Sequence, residues 1–196
     1  MIYSISRLLS LLLCKILFRI KVFGAHNLPR KGSFILASNH KSYLDPVLLG
    51  VSCRRQLNYM ARHDLFNNPF FSWYLSKIRV FPVKRDKPDF FALREAMRRV
   101  RNGGGLVIFP EGRRVEKFGI ENPQPGVGFL VNKLKVPVIP AFIRGSDEAW
   151  PKGAKFIRMR HISVHFGKII SLGRRLPNQE MADEIMRGIK SLSCAI

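Results

Sequence analysis

Residues 34–46 read Phe34-Ile35-Leu36-Ala37-Ser38-Asn39-His40-Lys41-Ser42-Tyr43-Leu44-Asp45-Pro46. The four apolar residues at its start predict a buried strand. Asp45-Pro46 has the chemistry of a helix start, because aspartate caps free amides and proline suits the first helical turn. Between them lies a polar loop that carries a histidine. A buried strand, a polar loop and a helix in succession form the opening half of a βαβ unit.

The same rhythm repeats along the chain. Further strands are predicted at 57–61, 80–83, 106–109, 138–143 and 162–166. Pro82 interrupts the second of these and marks an edge. Helices are predicted over 46–53, 69–75, 89–102 and 128–134, and from Asn178 to the end. The clearest is 89–102: Asp89 can cap it, and Phe90, Leu93, Met97 and Val100 recur on one side. Gly103-Gly104-Gly105 ends it, and Arg94, Arg98, Arg99 and Arg101 read as a solvated face. Strands alternating with helices predict an α/β fold, one domain with a mostly parallel mixed sheet flanked by helices.

The chain has 196 residues, enough for one well-filled core. Its charge is unusual: 34 Lys and Arg against 13 Asp and Glu, a formal net charge of +21. Such a surplus calls for a polyanionic partner, namely nucleic acid, an anionic membrane or a phosphorylated substrate. Seven cations precede Asp45, the first carboxylate of the chain. Cys14, Cys53 and Cys194 are scattered and odd in number, which indicates neither a disulfide framework nor a zinc site and fits a reducing compartment.

Residues 2–20 are rich in Leu and Ile but include Arg7, Lys15 and Arg19. The longest uncharged run between those cations is seven residues, too short for the roughly twenty that a spanning helix needs. The three cations fall within about a third of the helix circumference. Residues 1–24 are therefore expected to form an amphipathic, membrane-associated helix, with its apolar side in the lipid and its cations near phosphates. Residues 25–196 are expected to form the catalytic domain.

Three loops at strand ends carry chemistry. In the first, His40 is suited to general base work and Asp45 to orienting it. The alternative stays open here: Asp45 as a helix cap, with His40 on a backbone group. No serine elbow accompanies them, so the nucleophile is expected to be a substrate hydroxyl. The second loop, Phe109-Pro110-Glu111-Gly112-Arg113-Arg114, brings a carboxylate and two guanidiniums to one point. Guanidinium suits phosphate. The third, Val80-Phe81-Pro82-Val83-Lys84-Arg85, also ends in cations.

In this order and spacing the loops resemble the four blocks of the PlsC-like glycerolipid acyltransferases. Asn39-His40 through Asp45-Pro46 is similar to the first block, Val83-Lys84-Arg85 to the second, Phe109-Pro110-Glu111-Gly112 to the third and Val136-Pro137-Val138-Ile139-Pro140 to the fourth. The resemblance implies His40 as general base and Asp45 as its partner. It implies Asn39, Arg85, Glu111, Gly112, Arg113 and Arg114 around the acceptor, and Val138, Ile139 and Pro140 as part of an acyl-binding wall. It further implies acyl-CoA or acyl carrier protein as co-substrate, no metal or bound cofactor, and anionic membrane lipids as partners. Nucleic acid is not expected, and the cytoplasmic face of a membrane is. Arg113 departs from the family pattern, which has Thr after Glu-Gly, and Lys77-Ile78-Arg79-Val80 is more cationic than the family's second block. The implied reaction is acylation of 1-acylglycerol 3-phosphate. Glycerol 3-phosphate or another lysolipid is the alternative acceptor, and a non-catalytic basic protein is the alternative class.

Overall fold

The computed structural model describes residues 2–84, 89–116, 122–151, 153–170 and 176–194. Among them run seven strands: β1 (Lys21–Phe23), β2 (Phe34–Ser38), β3 (Leu57–Arg62), β4 (Val80–Val83), β5 (Gly105–Ile108), β6 (Val138–Arg144) and β7 (Ser163–Phe166). The helices are α1 (Ile2–Phe18), α2 (Asp45–Ser52), α3 (Pro69–Lys77), α4 (Phe90–Arg101), α5 (Pro125–Leu134), α6 (Ser146–Ala149) and α7 (Asn178–Cys194). One sheet holds all seven strands in the order β1-β7-β6-β2-β5-β3-β4. The five strands from β6 to β4 are mutually parallel, and β7 pairs antiparallel to β6. The predicted α/β domain with a mostly parallel mixed sheet is therefore observed.

Both faces of the sheet are covered, which explains why its strands read as continuous apolar runs. Phe34 and Leu36 of β2 pack beneath α1 and α2, whereas Ile35 and Ala37 point to the opposite layer of α4, α5 and α7. The connections around β2 decide where a site can form. The chain leaves β2 through α2 toward β3 on one side. It leaves β5, which pairs with β2, through α5 toward β6 on the other side. The two connections leave over opposite faces of the sheet, the topology that in open α/β sheets places a ligand crevice at the carboxyl ends of the adjacent strands, here β2 and β5.

Pro82 lies on β4, which is an edge strand, as its sequence predicts. Asp89 accepts from Ala92 N at 3.0 Å and caps α4. Val100 of the expected α4 face is buried and Leu93 and Met97 pack beside it, with Ala92 and Ala96 buried as well; Phe90 alone departs from expectation, at 72% exposed. Its arginines are also not all free of the fold. Arg98 and Arg99 both bond Glu95, and Arg99 lies over the Phe81 ring at 4.5 Å. These contacts hold the Glu95 carboxyl down to about 2.

Among the described residues no helix is long and apolar enough to cross a membrane. Helix α1 packs on the domain through Cys14 and Phe18, with Leu11 and Leu17 beside them. Arg7, expected near lipid phosphates, is engaged within the fold. Its guanidinium donates to Gly50 O, Val51 O and Cys53 O at 3.0–3.2 Å and so caps the carboxyl end of α2. A cation there satisfies orphan carbonyls and complements the helix dipole. We expect Arg7→Ala to destabilise the chain by about 1–3 kcal/mol, because the capped carbonyls lose a charged donor. A urea unfolding midpoint checks this. The outer face of α1 is instead apolar: Ile5, Leu8, Leu9, Leu12, Leu13 and Ile16 are each about half exposed or more.

Candidate active site

His40 and Asp45 meet in the crevice described above. His40 Nδ1 lies 2.9 Å from Asp45 Oδ2, and both residues are buried, Asp45 completely. The loop closes through the carboxylate. Oδ2 also accepts from the backbone amides of Lys41, at 2.7 Å, and Ser42, at 2.8 Å. Helix α2 begins at Asp45, yet no side chain caps its first turn, so the carboxylate turns back into the loop. This decides the alternative left open by the sequence: Asp45 holds His40, and Pro46 starts the helix without it. A carboxylate oxygen that already accepts two N–H bonds places a proton on Nδ1, so that in the neutral ring Nε2 is the nitrogen with the lone pair.

The ring is fixed from its face as well. Phe109, just past β5, stacks on His40 with centroids 4.1 Å apart at 19°. The loop after β5 then folds across the histidine. Val115 N donates to His40 O at 2.9 Å, and His40 N reaches Glu111 Oε1 at 3.4 Å. Gly112 turns this loop at φ +69°, where a side chain would be strained and its Cβ would sit 2.9 Å from Gln124 Cγ. Arg113 is exposed beyond the turn. Arg114 lies over the Tyr43 ring, 3.4 Å from its centroid, which holds a guanidinium against the histidine loop. The structure thus brings His40, Asp45, Glu111, Gly112, Arg113 and Arg114 into two interlocked loops. Arg85 lies outside the described residues.

Two groups of residues expected at the site are taken up by the fold. Asn39 is not available to a substrate: its side chain donates to Ile143 O at 2.9 Å and accepts from Ile143 N at 2.8 Å, bridging β2 to β6. It positions His40 by locking the strand end before it. Val138, Ile139 and Pro140 do not form an accessible wall either. All three are buried at the start of β6, with Val138 and Ile139 packed in opposite core layers. Hydrophobic residues in a central parallel strand face core on both sides, so their apolar character carries no ligand signal.

Several neighbours escaped sequence reasoning. Lys41 pairs with Asp147 of α6, Ser42 Oγ donates to Trp150 O at 3.0 Å, and Trp150 tilts against Tyr43 with centroids 5.3 Å apart. Tyr43 and Phe109 stood inside the quoted loops, but only the tertiary fold gives them partners. The two serine hydroxyls that flank His40 are engaged. Ser38 Oγ donates to Asn39 Oδ1, and Ser42 Oγ holds Trp150 O while accepting from Leu44 N.

Fold and site together define a covered α/β domain with a carboxylate-braced histidine at the switch point of its sheet. The chain belongs to the acyltransferase family, whose model, described as Acyltransferase, matches residues 19–144. It is 31% identical over 139 residues to the 1-acyl-sn-glycerol-3-phosphate acyltransferase of Bacillus subtilis, a match covering 68% of each chain. It is 28% identical over 143 residues to the chloroplastic 1-acyl-sn-glycerol-3-phosphate acyltransferase BAT2 of Brassica napus, 71% of this chain but only 41% of that one. Its fold is that of the 1-acyl-sn-glycerophosphate (LPA) acyltransferase PlsC from Thermotoga maritima, with a TM-score of 0.72, 22% identity, and 97% of this chain and 82% of that one covered.

Proposed function

We propose that this chain transfers a fatty acyl group from a thioester, acyl-CoA or acyl carrier protein, to the free hydroxyl of 1-acylglycerol 3-phosphate. The observation that carries the reading is the buried His40–Asp45 pair at 2.9 Å, roofed by the loop that bears Glu111, Arg113 and Arg114. The names of the relatives support the acceptor class.

The chemistry follows from the geometry. His40 Nε2 takes the proton of the acceptor hydroxyl as its oxygen bonds the thioester carbonyl carbon. Asp45 stabilises the imidazolium and keeps Nδ1 as the donor. The tetrahedral oxyanion then collapses, the C–S bond breaks, and the leaving thiolate takes the proton from His40. The nucleophile belongs to the substrate, which agrees with the engaged hydroxyls of Ser38 and Ser42. Arg113 and Arg114 bind the acceptor phosphate, with Arg85 joining them on the strength of the resemblance. The net charge of +21 draws both an anionic acceptor and an anionic membrane, and the apolar outer face of α1 lies at that membrane. The same arrangement suits a cytoplasmic leaflet, where thioester donors are available.

A test compares 1-acylglycerol 3-phosphate with the matching monoacylglycerol. Loss of the phosphate is expected to lower kcat/KM by about 10²-fold or more, since two charge-assisted bonds are lost. Equal use of the two acceptors contradicts a phosphate site.

A further inference from the structure

The segment between α6 and β7 exposes apolar side chains where a monomer would be expected to hide them. Phe156 is 80% exposed, Met159 66% and Ile157 45%. Lys155, Arg158 and Arg160 alternate with them and are also exposed. The segment is tied at both ends. Trp150 Nε1 donates to Ala154 O at 3.0 Å, Arg158 N to Ala149 O at 2.8 Å, and Ile162 N to Phe18 O at 3.0 Å. The exposed side chains are thus presented by a braced backbone. Its anchors matter for function. Trp150 touches Tyr43, which carries Arg114, and Phe18 ends the helix whose outer face is apolar.

We propose that residues 155–160 are a second membrane-inserting element, separate from α1. Phe156, Ile157 and Met159 enter the acyl boundary of an anionic bilayer, and Lys155, Arg158 and Arg160 bind its phosphates. Apolar side chains interleaved with three cations, and with no acid between residues 155 and 160, match such an interface in both respects. The element seats the His40–Asp45 crevice against the leaflet, so an amphiphilic acceptor reaches Arg114 without leaving the lipid. The inference rests on the membrane reading given above and adds to it a second point of attachment on the domain itself.

The test uses the full chain and vesicles of phosphatidylglycerol and phosphatidylcholine. Phe156→Asp with Met159→Asp is expected to lower vesicle partitioning by about tenfold or more, since two apolar insertions are replaced by charges that anionic lipid repels. Activity on a short-chain, monomeric lysophosphatidic acid is expected to stay within about twofold, because neither residue touches the crevice loops and both side chains are solvated in the folded chain. Leu9→Asp with Leu12→Asp on α1 serves as the second variant. If the α1 variant loses binding and the loop variant does not, the membrane reading stands and this inference falls. If the wild-type chain ignores vesicles altogether, both fall. If the loop variant changes only the sedimentation coefficient, with partitioning unaltered, the segment joins copies of the chain and the inference is overturned.

Discussion

His40→Ala is expected to lower the turnover number for acyl transfer by about 10²- to 10⁴-fold. The argument starts from the hydroxyl. An alcohol is a poor nucleophile at neutral pH, and the imidazole is the group in the two interlocked loops whose ordinary titration range best suits taking its proton. The ring is also held in two ways: a bond between Nδ1 and Asp45 at 2.9 Å and a stacked Phe109 on its face. A preoriented base loses little on reaching the transition state, so its removal is felt in kcat more than in KM. The fold should survive. The His40 backbone still accepts from Val115 N, and Asp45 Oδ2 still accepts from two amides. A circular dichroism melt beside the kinetic assay separates lost chemistry from lost structure. A melt unchanged within a few degrees with turnover also unchanged contradicts the base role.

Asp45→Asn is the second large effect, again about 10²- to 10⁴-fold in kcat. The amide oxygen can replace Oδ2 and keep the bonds from Lys41 N, Ser42 N and His40 Nδ1. What vanishes is the negative charge that stabilises the imidazolium formed in the reaction. The new amino group falls where Oδ1 sits buried without a hydrogen-bond partner among the described residues, so a stability loss of about 1–3 kcal/mol accompanies it. Asp45→Ala removes the brace as well as the charge and is expected to melt at a lower temperature than Asp45→Asn. If Asp45→Ala loses stability while turnover per folded molecule stays intact in both variants, Asp45 is a loop brace alone.

The parts of this molecule that could be read in advance are those where local chemistry and the fold agree. The run at Phe34 to Ala37 needs burial on both faces, and Asp89 needs only the amide three residues on. Pro82 lacks a backbone donor and so suits the edge strand β4. The parts that could not be read depend on partners far along the chain. Arg7 read as a cation for lipid phosphates, yet it caps α2 more than forty residues away. Phe90 matched a helical face by spacing, yet at the start of α4 it stays exposed, while Ala92 and Ala96 join Val100 in the buried face. Asn39 sat beside the histidine and read as polar and available, yet it bonds β6 across a sequence separation of 104. Alternation at Ile162, Val164 and Phe166 indicates a strand but carries no direction, so the antiparallel pairing of β7 stayed hidden. In the site itself, His40, Asp45 and the loop from Glu111 to Arg114 were legible from residue type and order. The Tyr43–Arg114 and Trp150–Tyr43 contacts were not, since they join three separate loops.

The most direct test of the account is product formation. Purified chain would be incubated with oleoyl-CoA and 1-acylglycerol 3-phosphate in anionic vesicles, and phosphatidic acid measured by mass spectrometry, with His40→Ala alongside. The account predicts phosphatidic acid from the wild-type chain and a yield at least about 10²-fold lower from the variant. Equal yields from the two proteins would contradict it.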